Sequence, residues 1–173
     1  MNTQKNMMIP LAFVGIMFFA IGFALGVNSF LIPTLQNSLS LPSGVAYMLL
    51  AATFVPFLIF GLPASMTISR IGYKKTMALS FAIFAFAFVL FVLSAKMENY
   101  LLFLLASFVS GTANAFLQAS VNPYITILGP IESAAKRMSI MGICNKLAWP
   151  VAPLFFALLV PDSTHVSIND LYL

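Results

Sequence analysis

The chain has 173 residues, 61% of them apolar and only 7% charged, where a soluble globular domain carries roughly 25% charged residues. Eight Lys and Arg against four Asp and Glu leave a formal net charge of +4. A soluble fold is excluded, no nucleic-acid partner is expected, and the single Cys144 cannot close an internal disulfide and reads as a small buried residue.

Charge-free runs at 6–69, 76–95, 99–131 and 147–161 mostly reach the ~20 residues that cross a ~30 Å hydrocarbon layer as helix. They predict an all-α membrane protein with spans at about 8–36, 44–68, 75–95, 99–128 and 138–160. The start, MNTQKNMMIPLAF, superficially resembles a signal peptide. Its apolar region, however, runs on to Leu35 without a small-residue cleavage site, whereas a signal h-region is ~7–15 residues long, so the first helix is expected to be kept. That span carries Gly15, Gly22, Gly26 and Ser29 at similar spacing, with Asn28 beside them and Pro33 near the outer end. Small residues let a neighbouring backbone approach closely, and Pro is tolerated in a span where a kink or cavity re-satisfies the freed carbonyl.

A turn cluster at 37–44 leads to the second span, in which Pro56, Gly61 and Pro63 suggest bending. The basic turn RIGYKK at 70–75 precedes the third span, which between Met77 and Ala95 holds only Ser80 and Ser94 as polar residues. Such a helix is expected at the periphery, against lipid. In the fourth span Ser107, Gly111, Asn114, Gln118, Asn122 and Thr126 recur at spacings of four, three, four, four and four, which puts all six on one helical stripe. A charged loop at 129–137 follows, with Glu132, Lys136 and Arg137, and the fifth span holds Asn145, Lys146 and Trp149. Every connection is short, so consecutive spans run antiparallel. Lys5, Arg70, Lys74, Lys75, Lys136 and Arg137 then share one side, and Lys96 lies on the other with Glu98, Asp162, His165 and Asp170. Positive charge resists translocation, which puts the N-terminus in the cytoplasm and His165 in a polar tail on the far side.

An amide buried without a partner costs roughly 2–7 kcal/mol, so Asn114, Gln118 and Asn122 imply either interhelical hydrogen bonds or a wet cavity. Six aligned positions exceed what gluing two helices requires. Lys146, about two turns into its span, either marks a functional site or snorkels back to the interface. Trp149, one turn on, is suited to stacking on a ring substrate or to plain packing. No span contains Asp or Glu, which weighs against a proton relay here. There is no Gly-rich phosphate loop, Cys or His metal cluster, or nucleophile with a base and orienting acid, so neither an enzyme nor a cofactor is expected.

Three stretches carry a family resemblance. QASVNPYITILGPIESAAKRMSIMGICNK, residues 118–146, resembles the helix-four to helix-five junction of the glucose/galactose and fucose permease branch of the major facilitator superfamily. NSFLIPTLQ, 28–36, resembles the end of that branch's first helix, and SRIGYKK, 69–75, resembles a degenerate form of the superfamily's basic loop between helices two and three. The resemblance implies the first five helices of a twelve-helix bundle, with the sixth helix and the C-terminal half absent from these residues and acting as partner. It implies alternating-access transport of a hexose such as glucose or galactose across a bacterial-type inner membrane, by secondary or facilitated uptake. The family's sugar-contacting positions fall on Asn28, Gln118, Asn122 and Asn145, and amides suit them because each offers donor and acceptor to adjacent hydroxyls. Lys146 and Trp149 join them as candidates on the same helix, and Arg70, Lys74 and Lys75 are expected at the cytoplasmic gate. Ser29 and Gln118 stand where proton-coupled fucose permeases carry acids, which argues against proton coupling there and leaves the coupling ion open. Two other readings stay open: a truncated membrane protein that transports nothing, and a carrier of another small solute on the same fold.

Overall fold

The computed structural model describes residues 3–159, so Asp162, His165 and Asp170 lie outside the described residues. The elements are α1 (Thr3–Ser38), a single turn α2 (Ser43–Ala46), α3 (Met48–Ile71), α4 (Tyr73–Met97), α5 (Tyr100–Ile127) and, after a 3₁₀ turn at Ile131–Ser133, α6 (Ala134–Leu159). Ile9–Asn37, Ser43–Ile71, Tyr73–Met97 and Tyr100–Ile127 are each long and apolar enough to cross a membrane. The 26-residue α6, about 39 Å long at 1.5 Å per residue, also carries Lys136, Arg137 and Lys146.

The connections are tight for local reasons. A single residue, Gly72, joins α3 to α4 at φ 81° and ψ 165°, a conformation that a Cβ would strain. Its N–H donates to the Ile68 carbonyl at 2.8 Å and its own carbonyl accepts from the Thr76 N–H at 3.2 Å. At the other end of α4, Glu98 adopts a left-handed conformation, and Asn99 then caps α5, its Oδ1 accepting from the N–H groups of Leu101 and Leu102 at 3.0 and 3.3 Å. That cap satisfies donors the helix start leaves open. The Tyr100 hydroxyl donates to the Val45 carbonyl and ties the start of α5 to the α2 turn.

Packing makes α5 the hub, with α4 and α3 laid along it, while α1 and α6 form a second closely packed pair. One core joins Val14, Phe18 and Ile21 of α1 to Leu117, Val121 and Ile125 of α5, with Met77 and Phe84 of α4 and Met141 of α6. A second, towards the α4–α5 turn, contains Ile32, Leu35, Leu49, Phe91 and Phe103. The lipid-like character expected of the third span is visible on α4, where Phe86, Val89, Val92 and Leu93 are exposed while Ser80 and Ser94 point inward. Those serines are satisfied within their own helix, by Thr76 and Phe91 carbonyls, each at 2.8 Å. The same back-bonding accounts for Ser29, Thr53, Thr112 and Ser120, and it lets hydroxyls enter apolar helices without an unsatisfied group.

The α1–α6 seam is built on Gly22 and Gly26, four residues apart, facing Ala148 and Ala152. A Cβ on Gly22 would overlap the Asn145 carbonyl oxygen, and one on Gly26 would overlap the Trp149 carbonyl oxygen. Rising numbers meet rising numbers, so the two helices run parallel. Small residues four apart permit this backbone approach. Pro153 lacks the N–H that would otherwise donate to the Trp149 carbonyl within the helix, so the carbonyl at the Gly26 contact is one the helix leaves without its i+4 bond. The α3–α5 seam uses Gly111 in the same way, against the Thr53 carbonyl and the Pro56 ring.

Arg137 differs from the loop charge expected for residues 129–137. It is 6% exposed and closes the α5–α6 elbow, Nε donating to the Ile125 carbonyl at 3.2 Å, Nη2 to the Thr126 carbonyl at 3.2 Å and Nη1 to the Pro130 carbonyl at 3.0 Å and to the Ser133 hydroxyl. The carbonyls at the end of α5 lack intrahelical donors and carry the negative end of its dipole, so a planar fork of N–H groups meets both needs.

Candidate functional site

The six-residue stripe on α5 exists but divides into two parts. Towards the α4–α5 turn, Ser107 and Gly111 are buried, Gly111 against α3. Asn114 is 1% exposed, and its Oδ1 accepts a hydrogen bond from Gln118 Nε2 at 3.3 Å. From there on, Gln118, Asn122 and Thr126 are half-buried, the Thr126 hydroxyl donating to the Pro123 carbonyl at 2.7 Å. Asn114 thus holds Gln118 by one amide hydrogen while the remaining amide groups of Gln118 and Asn122 stay accessible. Pro123 follows Asn122 and removes the donor for the Ala119 carbonyl, which loosens the helix beside these amides.

Asn145 of α6 reaches α1, its Nδ2 donating to the Phe18 carbonyl at 3.0 Å. Phe18 shares a core with Leu117 and Val121, so Gln118 and Asn145 lie at about the same depth. Asn28 lies ten residues farther along α1 than Phe18, about 15 Å, and Asn122 one turn beyond Gln118 in the opposite direction. The amides therefore form a line about 20 Å long, and a single hexose cannot touch all of them at once. Asn28 is 5% exposed, and its Oδ1 is buried without a hydrogen-bond partner among the described residues. Ser29 next to it is turned inward on its own helix, donating to the Leu25 carbonyl at 3.0 Å.

Lys146 is exposed, and its Nζ stands 5.1 Å from the centre of the Trp149 ring, a cation over an aromatic face. Arg70, Lys74 and Lys75 are exposed around the Gly72 turn, Lys74 lining a groove of about 350 Å³ with Pro10, Val14 and Tyr124. A groove of about 540 Å³ between α1 and α6 is lined only by apolar side chains and Cys144, a lining poorly matched to a polar solute. No cluster of metal-ligating residues occurs among the described residues. Sequence reasoning missed the clamp made by Arg137, and gave no special place to Asn114 as the partner of Gln118.

Long apolar helices packed through glycine seams, with half-buried amides on the hub helix, define a multi-pass helical membrane protein. The Major Facilitator Superfamily profile matches residues 14–166, and the chain belongs to that family. It is 35% identical over 169 residues to a glucose/galactose transporter of Brucella abortus, covering 97% of this chain and 41% of that protein. It is also 26% identical to the L-fucose-proton symporter of Escherichia coli over 88% of this chain and 35% of that one. The crystal structure of the transporter FucP in its outward conformation superimposes with a TM-score of 0.76 at 26% identity, over 90% of this chain and 38% of that chain. The chain thus spans about two fifths of the length of the relatives it matches.

Proposed function

We propose that these helices form one side of a twelve-helix carrier that moves a hexose sugar of the glucose or galactose type by alternating access, and that the protein is not an enzyme. The observation that carries this reading is the pair of half-buried amides, Gln118 and Asn122, with Gln118 oriented by the buried Asn114 and level with Asn145. An amide presents donor and acceptor together, which matches vicinal hydroxyls, and midplane sites between repeats are where such carriers bind. The names of the relatives, a glucose/galactose transporter and a fucose-proton symporter, point the same way. Asn28, Lys146 and Trp149 are read as further stations along the pathway. Arg70, Lys74 and Lys75 act at the cytoplasmic gate, with the N-terminus in the cytoplasm and the protein in the inner membrane; Lys5, Lys136 and Arg137 add to the positive charge on that side. Further helices of the carrier complete the pathway as the intramolecular partner, and proton coupling through Ser29 and Gln118 is not expected.

The test is radiolabelled hexose uptake by the full-length chain in proteoliposomes, with Gln118→Ala and Asn122→Ala beside the wild type. Both variants are expected to insert normally and to lose at least about ten-fold in uptake, the effect of removing a few well-placed hydrogen bonds. Unchanged uptake in both removes the site assignment. Competition by a non-sugar solute but by no sugar removes the substrate class.

A further inference from the structure

Within the proposed sugar pathway, Lys146 is the feature that a neutral hexose leaves unexplained. It lies ten residues past Lys136, about 15 Å farther along α6, beyond the reach of its four-carbon stem back to that interface. The carboxylates among the described residues, Glu98 and Glu132, stand in turns at opposite ends of the bundle. An ammonium at this depth is costly unless an anion or water meets it.

Ser139, Gly142, Lys146 and Trp149 recur at spacings of three, four and three and so share one stripe of α6. The exposed apolar residues Ile140, Leu147, Val151, Leu154 and Leu158 make a different one. A shallow, open groove runs past Ser139, Gly142, Ile143, Lys146 and Leu147, where the two stripes meet. Over Gly142 there is open space, since an added Cβ would meet nothing within 4 Å. Ammonium, aromatic ring, hydroxyl and open floor thus lie on one strip, adjoining Asn145.

From this arrangement we infer that the carrier's preferred substrates are anionic sugars, hexuronates or related sugar acids, with the carboxylate on Lys146, the apolar face of the ring against Trp149 and the hydroxyls on the amides. The inference rests on the sugar-carrier reading and specifies its substrate class. Lys146 supplies the discrimination between a sugar acid and its neutral counterpart, because only the acid neutralises the ammonium when it binds.

Trp149 is the sole tryptophan of these 173 residues and touches the proposed site, so its fluorescence reports occupancy. In nanodiscs containing the full-length chain, with Trp149 as the only tryptophan, galacturonate and glucuronate are titrated beside their methyl esters and beside galactose. The acids are expected to bind about ten-fold or more tightly than the esters, as a charge-assisted hydrogen bond implies. In Lys146→Gln the acid-to-ester ratio falls to about one, and in Lys146→Arg it is retained; should Lys146→Gln fail to fold, the wild-type ratio and the Arg variant decide. Equal binding of acid and ester by the wild type overturns the anionic class while the sugar reading stands. A preference that persists in Lys146→Gln overturns the role of Lys146, and binding of no saccharide at all overturns the sugar reading itself.

Discussion

The Asn145 side chain donates from Nδ2 to the Phe18 carbonyl at 3.0 Å, joining α6 to α1 across 127 positions of sequence. Phe18 O lies inside a span, where an interhelical hydrogen bond contributes about 0.6–2 kcal/mol. Asn145→Ala is expected to lose about that much stability, read as a lower midpoint in thermal unfolding of the detergent-solubilised protein. Asn145→Asp should lose at least as much, since a carboxylate has no hydrogen to give and would face an oxygen. An Asp variant as stable as the wild type would show that the amide does not hold the seam.

At Gly22 the seam admits no side chain. Gly22→Ala drives a methyl group into the Asn145 carbonyl oxygen, with Ala148 beside it, and overpacking of this kind costs about 1–3 kcal/mol. Gly61, exposed on α3 with open space around its Cα, is the control, and Gly61→Ala should leave the unfolding midpoint unchanged or raise it, by up to about 1 kcal/mol of helix preference. Equal midpoints for the two variants would contradict the packing described.

Asn28 carries a buried Oδ1 with no partner among the described residues, which costs about 1–3 kcal/mol. Asn28→Leu, of similar size, is expected to raise the unfolding midpoint and to lower hexose uptake at the same time. Stability and transport moving in opposite directions is the signature of a polar group kept for function. A destabilised Asn28→Leu would mean that the amide has a structural bond instead.

Removing the Arg137 guanidinium strips donors from the Ile125, Thr126 and Pro130 carbonyls together. Arg137→Ala is expected to cost about 1–3 kcal/mol or more. Arg137→Lys should recover only part, because one ammonium cannot reproduce the fork. Hydrogen exchange across 127–137 reads the local effect, with faster exchange expected in both variants and the larger change in the alanine.

Much of this architecture is legible from residue spacing. The four longest apolar spans follow from charge-free length, and the stripe on α5 from spacings of three and four. What spacing cannot state is who the partner is. Asn145 and Asn122 look alike in sequence, yet one gives its amide hydrogen to Phe18 and the other is half-buried on the hub helix. Arg137 looked like a topology charge beside Lys136, because nothing local announces that three carbonyls from the end of α5 and the elbow converge on it. The break at Tyr47 between α2 and α3 was likewise absent from the hydropathy pattern, since a one-residue turn inside an apolar run leaves the composition unchanged.

The parallel pairing of α1 with α6 has a consequence for synthesis. Gly22 and its neighbour Ala148 are 126 residues apart, and a ribosome adding ~5–20 residues per second takes roughly 6–25 seconds between them. Throughout that interval the glycine face of α1 has been made and its mate has not. The seam is among the last long-range contacts these helices acquire, and until it forms the newborn α1 must be shielded by lipid, by the insertion machinery or by whichever helix arrives first.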